Sequence, residues 1–118
     1  MNIEDVLSSF RGKERYGYDY EGVTLVAMLE LHSYGMVDGN WNSAPSTDTF
    51  VNFARRWSFV RFAGSVHDKF TPEEISGVIP QNLTREQVLE FVSDAVRTFG
   101  YADEKEINSD GSFRFWFD

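Results

Sequence analysis

Seven carboxylates near the C-terminus have the types and spacing best suited to recognition chemistry. Glu86, Glu90 and Asp94 follow one another at i, i+4, and Asp103, Glu104, Glu106 and Asp110 come shortly after. Like charges at that helical spacing cost roughly 0.2–0.5 kcal/mol per pair, so local helix stability does not favour the ladder. A concentrated negative field instead suits the steering of a basic partner. A second group, Trp41, Arg55, Arg56, Phe59 and Trp116, has the aromatic and arginine character of interface anchors. Catalysis has thinner support. His67 and Asp68 are neighbours in sequence, which does not make them face each other, and no G-x-S-x-G elbow, phosphate-cradling glycine loop or H-E-x-x-H helix occurs. The chain is therefore read as a protein without catalysis of its own, with no catalytic residue, metal ligand or cofactor assigned.

Composition narrows the class of partner. The net charge of −8 is unevenly spread: residues 1–54 hold eight acids and three bases, residues 55–85 three acids and five bases, and residues 86–118 eight acids and three bases. Two acidic flanks thus bracket a mildly basic middle, a balance that repels nucleic acid and anionic membranes. With 118 residues, 42% of them hydrophobic, the chain fits one folded domain over residues 1–118. The absence of cysteine excludes disulfides and thiolate sites and favours a cytoplasmic setting. The start MNIEDVLSSF carries acids where a signal peptide carries Lys or Arg, and no apolar run reaches the roughly 18 residues of a membrane span. The chain is accordingly expected to need no removal of a leader.

The positioning elements follow from periodicity. Ile3, Val6, Leu7 and Phe10 predict a helix over residues 3–11. RYGYDY, with Tyr16, Tyr18 and Tyr20 at alternate positions, predicts a short strand. Residues 23–34 are apolar nearly all round and read as a buried helix ending at Gly35, with a strand over Val23 to Leu31 as the alternative. Residues 36–46 are a loop, and Phe50, Phe53, Ala54 and Trp57 define a helix whose period breaks near residue 58. Thr71, Pro72 and Glu74 have the spacing of a helix start, so residues 71–80 are expected to form a short helix stopped by Pro80. A Thr84–Gln87 capping box opens the next helix, whose expected core face is Val88, Leu89, Val92, Ala95, Val96 and Phe99. The C-terminus predicts a hairpin with a Ser109–Gly111 loop, pairing Ile107 with Phe113 and Lys105 with Phe115 and setting Phe113, Phe115 and Phe117 on one face. The expected architecture is an α+β domain, mostly helical, with a small antiparallel sheet of the tyrosine strand and the C-terminal hairpin.

Three segments resemble known motifs. Tyr16-Gly17-Tyr18 resembles the aromatic core of an RNA-recognition strand, but Glu14, Arg15, Asp19 and Glu21 stand where that pattern has a base, Gly, Val and a ring. The tyrosines are therefore read as packing. Residues 72–117 resemble a helix-turn-helix with a wing. The exposed residues of its second helix would be Glu86, Gln87, Glu90, Ser93, Asp94 and Arg97, a poor phosphate surface that points to protein contacts instead of DNA. EINSDGSF resembles part of a calcium loop, with Asn108, Asp110 and Gly111 in the third, fifth and sixth places, but Phe117 stands where the bidentate Glu belongs. The hairpin turn accounts for the same residues.

Together these features describe a small acidic cytoplasmic protein that binds a protein partner with a basic surface. Nuclease inhibitors, immunity proteins, antitoxins and phage-encoded anti-defence proteins belong to that class. The alternative expectation is a winged-helix-like regulatory or scaffold domain that self-associates, or binds a partner, through its aromatic residues.

Overall fold

Alternation of Phe113, Phe115 and Phe117 with Ser112, Arg114 and Trp116 creates the strand around which the rest assembles. In the computed structural model, which describes residues 20–39 and 44–117 apart from the His67 side chain, β5 (Ser112–Trp116) pairs antiparallel with β4 (Glu104–Ile107). Ile107 lies opposite Phe113 and Lys105 opposite Phe115, the register expected from the sequence. Gly111 takes φ 91°, the left-handed conformation that a three-residue turn needs and that glycine adopts without strain. The Asn108 N–H donates to the Ser112 carbonyl at 2.8 Å and closes the turn.

On its other side β5 pairs with β3 (Lys69–Val78), which pairs with β2 (Arg61–His67), which pairs with β1 (Tyr20–Val23). Among the described residues the result is a five-stranded antiparallel sheet of order β1-β2-β3-β5-β4. Val23, Phe62, Ile75 and Phe115 line up across four strands. Three helices supply the residues that cover this row: α1 (Leu25–Ser33) gives Met28 and Leu31, α2 (Thr47–Arg56) Phe50 and Phe53, and α3 (Arg85–Phe99) Phe91 and Phe99. The core is largely aromatic. Phe50 meets Phe62 edge-on at 5.8 Å, Phe53 meets Phe99 at 4.8 Å, and Phe99 meets Phe115 at 5.9 Å.

This architecture corrects the expectation of a mostly helical domain with a small sheet. Residues 71–80 are not a helix; residues 71–78 belong to β3, the strand between β2 and β5. The Thr71, Pro72, Glu74 signal is local, whereas a strand there gains partners on both sides. Pro72 is tolerated because the ladder is broken beside it: Ala63 pairs with Glu74 and Gly64 with Pro72, leaving Glu73 as the extra residue of a β-bulge. The freed Glu73 carbonyl accepts the Phe117 N–H at 2.9 Å. With a strand in that position, no helix-turn-helix runs through residues 72–99.

The tyrosine strand is also placed differently. Tyr20 lies in β1, where it is 3% exposed and packs in the core. Tyr16, Tyr18 and the helix expected over residues 3–11 lie outside the described residues. β1 borders β2, at the edge opposite the hairpin, so the hairpin's third strand is β3. Residues 25–33 do form a helix, capped by Thr24, but not a helix buried all round: Ala27, Met28 and Leu31 are buried while Val26 is 74% exposed.

Candidate protein-interaction site

α3 begins at the expected capping box, with the Gln87 N–H donating to the Thr84 hydroxyl at 3.2 Å and the Gln87 carboxamide accepting the Thr84 N–H at 2.8 Å. Its buried face, however, is Phe91, Asp94, Ala95 and Phe99, whereas Leu89 and Val96 are exposed. The helix is turned from the expected orientation because Phe91 enters a ring cluster with Phe53, Trp57, Phe59 and Phe113. That rotation carries Asp94 inward.

Asp94 is therefore no part of an acidic surface. Its side chain is 5% exposed, and its Oδ1 accepts from Arg97 at 2.6 Å and from Arg56 at 2.9 Å. Its Oδ2 accepts the Trp57 indole N–H at 2.8 Å. Burial alone would raise the pKa of this carboxyl, but the Trp57 and Arg97 hydrogen bonds and the Arg56 and Arg97 charges outweigh it and hold the group below the ordinary aspartate value. Arg56, Trp57, Glu90, Ser93, Asp94 and Arg97 border an open cavity of about 410 Å³. Asp94, kept ionised between two arginines, is unsuited to general acid chemistry there.

The remaining acids separate onto two surfaces. Glu86 and Glu90 are exposed on α3. Glu104 and Glu106 alternate along β4 with Lys105 and Ile107, and they share their face of the sheet with Trp116 and Arg114, their cross-strand partners. Lys105 points the other way, towards the helices, and donates to the Gly100 carbonyl at the end of α3, where a cation complements the helix dipole. The acids of β4 consequently lie on the face of the sheet that α3 does not cover. Asp103 is exposed just before β4. Asp110, in the turn, accepts from the Ser112 hydroxyl at 2.6 Å and the Ser112 N–H at 2.9 Å, bonds that lower its pKa. These bonds give Asp110 the hairpin-turn role that the sequence suggests.

Behind Glu104 and Glu106 lies an ion-pair chain that sequence reasoning missed. Arg114 donates through Nε to Glu74 and through Nη1 to Glu104, the latter at 2.7 Å. Glu74 is fully buried and the Arg114 side chain is 6% exposed. The available signal was Arg114 itself: a cation alternating with three inward phenylalanines on an inner strand requires a buried acid. Its partner is hidden in the sequence because the spacing of Thr71, Pro72 and Glu74 reads as the first turn of a helix.

The described members of the aromatic and arginine group lie on separate elements. Phe59 is half-buried in the ring cluster, with its centroid 5.0 Å from that of Phe91. Arg55 and Arg56 are exposed on α2, Trp116 sits on β5 with the Arg114 guanidinium 5.7 Å from its ring centroid, and Trp41 lies outside the described residues. Among the described residues no helix is long and apolar enough to cross a membrane. Comparison with protein-family models, with curated proteins and with solved structures finds no match to this chain.

Proposed function

We propose that this chain is a non-catalytic, cytoplasmic binding protein that uses exposed carboxylates to engage a basic surface of a protein partner, such as the nucleic-acid-binding face of a nuclease or related enzyme. An inhibitor, immunity or anti-defence role would use this chemistry. The observation that carries the reading is the exposed edge strand β4, which presents Glu104 and Glu106 two residues apart on one face, in a chain of net charge −8. Glu86 and Glu90 add negative potential from α3, and long-range attraction of this kind raises association rates with cationic surfaces. Neither nucleic acid nor an anionic membrane suits this surface.

The test is capture of proteins from a cell lysate on the immobilised chain at low and at high salt. The reading expects basic nucleic-acid-binding proteins held at low salt, released at high salt and lost on Glu104→Gln/Glu106→Gln substitution. Salt-resistant recovery of an uncharged protein, or of the chain itself, would overturn it in favour of an aromatic interface.

A further inference from the structure

The hydrogen-bond phase of the terminal hairpin determines what β4 offers to a neighbour. Asn108 bonds across to Ser112, and in an antiparallel ladder bonded and non-bonded pairs alternate. Glu106 and Glu104 therefore turn their backbone groups towards β5, while the N–H and C=O of Lys105 and Ile107 point away from the sheet. Among the described residues β4 is the last strand of the sheet, and all four of its side chains are exposed. An edge of this kind is a template for another strand.

The two faces of that edge differ. On the helix side an open groove of about 520 Å³ is lined by Ile79, Val88, Val92 and Ile107 together with residues of the hairpin turn. Asp94 fixes the opposite flank of α3 against α2, so Val88 and Val92 of the free flank line the groove beside Ile107 at the β4 edge. On the other side of the sheet stand Glu104 and Glu106.

We propose, building on the acidic-surface reading, that β4 is a strand-addition site for an extended segment of the partner protein in which apolar and basic residues alternate. Its backbone bonds to Lys105 and Ile107, its apolar side chains lie against Val88 and Val92 beside Ile107, and its Lys or Arg side chains meet Glu104 and Glu106. Two-residue periodicity makes the pattern selective, because shifting the segment by one residue reverses every contact. A second copy of this chain is a poor occupant. Antiparallel addition centred on Lys105 sets Lys105 against itself and Glu104 against Glu106, and addition centred on Glu106 sets that carboxylate against its copy, all like-charge pairs that destabilise a ladder.

The experiment titrates the intact, isotope-labelled chain with two synthetic peptides of identical composition, one alternating Val and Lys and one with the same residues in two blocks. Affinity and amide hydrogen exchange are read by nuclear magnetic resonance. The alternating peptide should bind roughly tenfold more tightly than the block peptide and should slow exchange at the Lys105 and Ile107 amides. Val88→Ser should weaken the alternating peptide, and Glu106→Gln should weaken it and reduce its salt dependence. Equal affinities with unchanged exchange at Lys105 and Ile107 would overturn strand addition and leave the acidic-surface reading standing. Binding of neither peptide would also overturn strand addition, whereas the acidic-surface reading fails separately if lysate capture resists salt.

Discussion

Replacing Asp94 perturbs the structure at the point where α2 and α3 are joined by polar contacts. The carboxylate accepts the Trp57 indole N–H and bonds from Arg56 and Arg97, while the two arginine side chains are themselves 54% and 73% exposed. In Asp94→Ala both guanidinium groups can recover water, so each ion pair contributes only about 0–1 kcal/mol. The Trp57 N–H to a buried charge is worth more, about 1.5–3 kcal/mol. The sum for Asp94→Ala is about 1.5–5 kcal/mol, which for a domain of this length lowers Tm by roughly 6–20 °C. Asp94→Asn keeps an acceptor for Trp57 and should cost about 1 kcal/mol less. Urea unfolding followed by tryptophan fluorescence and far-ultraviolet circular dichroism measures both. The folded pKa of Asp94 lies below the ordinary value, so its contribution is complete above the unfolded pKa of about 3.9 and disappears as pH falls through the folded value. The gap between wild type and Asp94→Ala should therefore be flat from about pH 5 to 8 and close below about pH 4. A cost under about 0.5 kcal/mol, or a gap that widens in acid, would refute the role given to Asp94.

Other substitutions test the core and the sheet. Arg114→Met leaves the buried Glu74 charge without its Nε donor and should cost about 3–5 kcal/mol by chemical denaturation; a cost under about 1 kcal/mol would contradict burial of the pair. Phe91→Ala should cost about 3–5 kcal/mol, whereas Leu89→Ser on the exposed flank should stay within about 0.5 kcal/mol of wild type, and equal costs would mean that α3 is rotated towards the face expected from periodicity. Gly64→Ala brings a Cβ to 1.9 Å from the Thr71 carbonyl oxygen at the bulge, so the variant should show a lowered Tm and altered β2–β3 amide shifts; an unchanged melt would show that the close approach is absent.

Legibility in the sequence depended on whether a signal was local. The hairpin register could be worked out because Gly111 permits a left-handed turn and only one loop length places Lys105, not Glu106, opposite Phe115. The N-terminus of α3 was equally legible, since Thr84 and Gln87 satisfy each other within one turn. What failed required distant partners. Residues 71–78 have a helix-start pattern, yet β2 and β5 offer that segment two ladders, and the bulge removes the objection that Pro72 raises. The face of α3 was misjudged because Leu89 and Val96 fit a helical period as well as Phe91 does, and the choice rests on Arg56 and Trp57 receiving Asp94 from another helix. Of the acidic group, Glu86, Glu90, Asp103, Glu104, Glu106 and Asp110 are exposed, but chain order does not show that Glu104 and Glu106 lie on the face that α3 does not cover.

The salt dependence of affinity for a basic protein retained in the lysate experiment tests the central claim most directly. Dissociation constants for wild type, Glu104→Gln/Glu106→Gln and Glu86→Gln/Glu90→Gln would be measured over a range of ionic strength. The account predicts that wild-type affinity falls steeply as salt rises, that the β4 pair of substitutions flattens this slope and weakens binding most, and that the α3 pair changes mainly the association rate. Equal affinity and equal slope for wild type and the β4 variant would contradict it.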